Sequence, residues 1–78
     1  MVDFTIQDLQ DIARDIIGDD EIALSRSMNA NDVPGWDSLN NTLIAMEIAG
    51  RFAAQVDAPQ LGRLETFGDL VDFVNARM

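Results

Sequence analysis

The chain has 78 residues, 47% of them apolar, with no cysteine, no histidine and a net charge of -9 from 14 acidic and 5 basic residues. A chain of this length is expected to form one small domain over residues 1–78, burying about 60% of its unfolded surface, which leaves little room for a deep enzymatic cleft. Disulfides, thiolate metal sites and a cysteine nucleophile are excluded, and the acidic balance repels phosphate backbones, so nucleic acid is excluded as a direct partner.

Apolar residues at Ile6, Leu9, Ile12, Ala13, Ile16 and Ile17 follow the three-and-four spacing of an amphipathic helix. Thr5 followed by Asp8 forms a capping-box pair and Gly18 is placed to end the element, so the first helix is predicted over Thr5–Ile17. From Gly18 to Asp37 turn formers dominate, among them Asn29, Asn31, Asp32, Pro34 and Gly35. A connection this long needs anchors, and Ile22, Leu24, Met28 and Val33 are the expected ones, with a short helical turn among them.

The second helix is predicted from Asp37 or Ser38 to Phe52 or Gln55, with Ile44, Ile48 and Phe52 as its core stripe. At about 100° per residue, Leu39 and Met46 fall nearly opposite that stripe, flanked by Thr42, Leu43 and Gly50. Pro59 suits the first turn of a short helix ending near Arg63. Thr66 caps a last helix carrying Phe67, Leu70, Val71, Phe73 and Val74, with Asp69 as its capping-box partner. No period-two alternation is present, so the expected fold is all-α, a four-helix bundle with a long first loop and a short third helix.

No apolar run reaches the 18 or so residues of a membrane span, and the first residues, Met1 to Thr5, lack the basic start and apolar stretch of a secretory signal. A cytoplasmic monomer that does not insert into membranes is the expectation.

Gly35-Trp36-Asp37-Ser38-Leu39 marks the junction of the long loop and the second helix. A serine hydrolase requires a base to take the hydroxyl proton, and the chain has no histidine; all five basic residues are arginine, so a serine–lysine pair is excluded too. A calcium loop over Asn29, Asn31 and Asp32 fails because its sixth position is Pro34 and its twelfth is Asn40. Those residues read as turn formers. Asp37 and Ser38 are also the residue types that cap helices, and on spacing alone that structural role is the better reading of Ser38.

Context over the rest of the chain resembles the acyl carrier protein family. Ile16-Ile17-Gly18 is similar to the end of that family's first helix, and Asp32 through Leu39 resembles its loop and Asp-Ser-Leu attachment motif. Ile44 to Phe52 is similar to the second helix, and Leu64-Glu65-Thr66-Phe67-Gly68-Asp69-Leu70-Val71 to the Thr-capped last one. The resemblance implies a non-enzymatic carrier with 4'-phosphopantetheine esterified to Ser38, flanked by Asp37 and Leu39. It implies a phosphopantetheinyl transferase as partner, with Asp37 helping to organise that enzyme's metal site. It also implies an acyl- or aminoacyl-loading ligase and downstream acyl-processing enzymes. A thiol-bearing arm supplies thioester chemistry that a chain without cysteine lacks.

The second helix departs from the carriers of bulk fatty-acid synthesis, which display several carboxylates there. Between Ser38 and Phe52 only Glu47 is acidic, and Arg51 opposes it. A dedicated carrier of a specialised pathway follows, its cargo a polyketide-type acyl group, an amino acid or a modified fatty acid, with Thr42, Leu43 and Met46 as the partner-recognition residues. Trp36 reads either as a plug anchoring the loop end or as a recognition residue beside the arm. The competing function is a small acidic helical interaction domain that is never modified.

Overall fold

The structure is a computed structural model that describes residues 3–78. Met1 and Val2, on which part of the reading of the first residues rests, lie outside the described residues.

Among the described residues four helices follow in order: α1 (Ile6–Ile17), α2 (Ser38–Phe52), α3 (Ala58–Gly62) and α4 (Phe67–Ala76), with a 3-10 turn, Ala30–Asp32, inside the long first loop. No strand occurs among the described residues. α1 packs on α2 and α4, and α2 on α3.

Local chemistry explains most of the boundaries. Thr5 and Asp8 exchange hydrogen bonds in a complete capping box, and Gly18 closes α1 in the left-handed region at φ 81°. Asn29 and Asp32 make the same reciprocal cap for the 3-10 turn, which accounts for the polar cluster once compared with a calcium loop. At α4 the pair is half formed. Thr66 accepts from the Asp69 amide, while the amide that Asp69 would have to bind in return is not engaged by it. α3 has a cap that the pattern did not reveal, Asp57, paired reciprocally with Gln60.

The core contains Phe4, Leu9, Ile12, Ile22, Val33, Ile44, Ile48, Leu61, Leu70 and Val74, drawn from every helix and from the loop. Full burial of one such aliphatic side chain contributes about 1.5–3 kcal/mol, so these contacts hold the bundle against its acidity. Phe52, expected in the core stripe of α2, is only half-buried; it meets Phe4 edge-on at 4.9 Å between ring centres and closes one end of the bundle.

The long loop is tied down by hydrogen bonds as well as by Ile22 and Val33. Arg14 Nε donates to the Ile22 carbonyl at 2.8 Å, and the Leu24 amide donates to Gln10. At the start of α4 the amides of Phe67 and Gly68 donate to the carbonyls of Met28 and Arg26 at 2.8 and 2.9 Å. A helix start normally leaves such donors without a partner. Here loop backbone satisfies them, which fixes the loop across the bundle.

Candidate functional site at the start of helix two

The turn that presents Ser38 begins at Gly35. Its φ of 91° lies in the left-handed region, and a Cβ there would stand 2.7 Å from Ile17 Cγ2, so only glycine lets the loop pass this close to the end of α1. The Trp36 amide then donates to the Val33 carbonyl, and Asn40 Nδ2 reaches back to the Gly35 carbonyl at 2.7 Å. Loop and first helical turn are thereby locked together.

Asp37 is the N-cap of α2: its Oδ1 accepts from the Asn40 amide at 2.8 Å, and its carbonyl accepts from the Asn41 amide at 2.8 Å. Ser38 is the first helical residue and is exposed. The capping role that would explain a serine here structurally is therefore filled by its neighbour, and the bonds of this turn leave the Ser38 hydroxyl out. Thr42 Oγ1 donates to the Ser38 carbonyl at 3.0 Å, one turn on. The amides of Ser38 and Leu39 lie at the positive end of the helix dipole, a setting that favours an anion, whereas the Asp37 carboxylate opposes one.

Ser38 stands on the rim of a cleft of about 300 Å³, open to solvent, between the start of α2, α3 and the start of α4. Its walls are mixed: Trp36, Phe67 and Leu61 contribute apolar surface, and Asn29, Asn41 and Thr66 polar groups. Trp36 takes the first of its two expected readings, the anchor of the loop end. Its ring packs on Phe67 at 4.7 Å between centres, anchoring the loop end, and it is half-buried as a wall of the cleft beside Ser38.

Of the other residues singled out in the sequence, Leu39, Leu43 and Met46 lie on the outside of α2 with 68%, 41% and 66% of their surface exposed. Thr42 is exposed beside them. Glu47 and Arg51, the charged residues of α2, pair with each other at 2.9 Å, so this face carries little net charge.

Asn41 was missed. It sits one turn from Ser38, accepts from Trp36 Nε1 at 3.2 Å and donates to the Ala58 carbonyl at 3.2 Å, joining the loop end to α3. Two consecutive asparagines early in a helix run against propensity, and that was the available signal.

Neither the known protein families nor the curated proteins provide a match to this chain. Among solved structures it is similar to a holo acyl carrier protein from Geobacter metallireducens, determined in solution by NMR. The TM-score is 0.80 and the identity 32%, over 94% of this chain and 84% of that one. The chain belongs to the acyl carrier protein family. It is a carrier rather than an enzyme, and the four-helix architecture is that of the family. None of the described helices is long and apolar enough to cross a membrane.

Proposed function

We propose that this carrier bears 4'-phosphopantetheine on Ser38 and presents an acyl or aminoacyl group, held as a thioester on the arm, to partner enzymes of a specialised biosynthetic pathway. The observation that carries the assignment is the division of labour at the start of α2, where Asp37 caps the helix and Ser38 is left exposed, its hydroxyl outside the hydrogen bonds of the turn. The solved neighbour is itself a holo carrier, which supports a covalent arm in this family member as well.

In this reading a phosphopantetheinyl transferase brings the Ser38 hydroxyl to the pyrophosphate of coenzyme A. The serine oxygen bonds to the pantetheine-side phosphorus, and the adenosine portion leaves with the other phosphate. Asp37, exposed beside Ser38, helps to position the metal that the transferase brings. Residues Ser38 and Leu39 offer the new phosphodiester their backbone amides.

Loading is the work of an acyl- or aminoacyl-activating ligase, and downstream acyl-processing enzymes unload the arm. Leu39, Thr42, Leu43 and Met46 form the face they recognise. Because Glu47 is neutralised by Arg51, this face is suited to an apolar partner surface rather than to a row of basic side chains.

Incubation with coenzyme A and a broad-specificity transferase, followed by peptide mapping, tests the attachment. The expected result is one phosphopantetheine adduct, confined to the peptide containing Ser38 and lost in Ser38→Ala. Modification at Ser25 or Ser27, or none with an active transferase, sinks the assignment; the latter outcome favours an unmodified interaction domain.

A further inference from the structure

The cleft beside Ser38 leads toward the core, because two of its lining residues, Leu61 of α3 and Leu70 of α4, are themselves 3% exposed members of that core. One path from this cleft into the core runs between α2 and α3, whose residues Asn41 and Leu61 both line it. Asn41 lies on that route. Its side chain accepts from the indole of Trp36 on one side and donates to the Ala58 carbonyl at the start of α3 on the other, both at 3.2 Å. Trp36 is in turn held by its packing on Phe67.

Behind this bridge lies the buried core. Ile44 and Ile48 of α2 are fully buried, with Leu9, Ile12 and Val74 packed as tightly, and a close-packed interior accommodates a guest only by moving its walls apart. Moving α3 away from α2 would break the bond from Asn41 to Ala58. A guest chain without donors or acceptors has nothing to replace it.

We propose that the Trp36–Asn41–Ala58 bridge is a latch that holds α3 against α2 and keeps alkyl cargo outside the bundle, so that the carrier is matched to short or polar acyl groups. Asn41 is thus a specificity-determining residue of the carrier function. The inference rests on attachment of the arm at Ser38, as proposed above.

The latch is tested on full-length protein loaded from acetyl-coenzyme A or octanoyl-coenzyme A by a broad-specificity transferase, with loading verified by mass. Hydroxylamine attacks an accessible thioester carbonyl and releases the thiol, so its rate reports whether cargo is shielded. In the unaltered carrier the octanoyl and acetyl forms should differ no more than the corresponding free pantetheine thioesters do. In Asn41→Leu and Asn41→Ala the octanoyl form should become about tenfold slower to cleave while the acetyl form is unchanged, as expected when a mostly exposed chain becomes mostly buried.

Trp36→Phe keeps the ring and removes one of the two bonds. It should give an intermediate protection, and it decides the matter if the Asn41 variants do not fold. Shielding of octanoyl in the unaltered carrier overturns the latch, as does the absence of added shielding in folded variants. Failure of the unaltered protein to gain any mass overturns the attachment reading and the latch with it, and is separate from both of those outcomes.

Discussion

α1 and α2 are neighbours of similar length that dispose of their apolar residues in opposite ways. In α1 no apolar residue is exposed: Leu9, Ile12 and Ala13 are buried, Ile6, Ile16 and Ile17 are half-buried against the core, and the outward positions are Gln7, Asp11 and Asp15. In α2 the core stripe is complete with Ile44, Ala45 and Ile48, yet Leu39, Leu43 and Met46 remain on the opposite side in solvent. The first helix is a structural wall with an acidic exterior. The second has more apolar surface than the bundle can bury, and a surplus of this kind, next to Ser38, the proposed attachment site, is what an interface requires.

The largest effects should come from the residues that the two helices share in kind. Ile12→Ala in α1 and Ile48→Ala in α2 each remove a side chain that is 0–1% exposed, and each should cost about 2–5 kcal/mol in a denaturant titration. If the Ile48 variant were the much milder of the two, α2 would be a poorly anchored element and the contrast would lose its basis.

The next effect separates the two faces of α2. Leu43→Glu and Met46→Glu should leave helicity by circular dichroism intact and shift stability by no more than about 0.5 kcal/mol. Both should weaken loading by the cognate ligase about tenfold, which is about 1.4 kcal/mol of binding. Unfolding of either variant would show the outer row to be core.

A smaller and more diffuse effect belongs to the acidic exterior that α1 exemplifies. Among the described residues two ion pairs are made, Arg26–Asp72 and Arg51–Glu47, each between largely exposed side chains and so of little stabilising value. Fourteen carboxylates face five arginines in the whole chain, and added salt screens their repulsion over about 8–10 Å near physiological ionic strength. The melting temperature should therefore rise by a few degrees between low and moderate sodium chloride. A flat response would mean that the carboxylates stand too far apart to interact.

Helix starts were the most legible part of the chain, because a cap is a local device: Thr5 and Thr66 each bind an amide three residues ahead and were visible as spacing alone. The end of α2, between Phe52 and Gln55, is poorly legible for the complementary reason. The helix stops at Ala53, a residue without special tolerance for its left-handed φ of 53°. What holds it there is remote in sequence: Ala54 is buried in the core, and the Gln55 amide donates to the carbonyl of Arg77. The same holds for Asn75, whose side chain both accepts from the Phe4 amide and donates to the Phe4 carbonyl at 2.8 Å, tying the first described residues to the last helix. No spacing rule pairs positions 71 residues apart.

At the site, the residue types and their order were enough to expose Ser38, exclude catalysis by the chain itself and set Leu39, Leu43 and Met46 opposite the core stripe, since helical periodicity alone decides which side chains share a face. Whether that outer row would be covered depended on the path of the long loop. It runs instead across the start of α4, because backbone carbonyls at Arg26 and Met28 meet the amides of Gly68 and Phe67 there. The cleft beside Ser38 and the Asn41 bridge across it were likewise decided only by tertiary structure. They arise where the loop end, α3 and α4 converge on α2, and a side chain's hydrogen-bond partners across such a junction are set by packing rather than by neighbours in the chain.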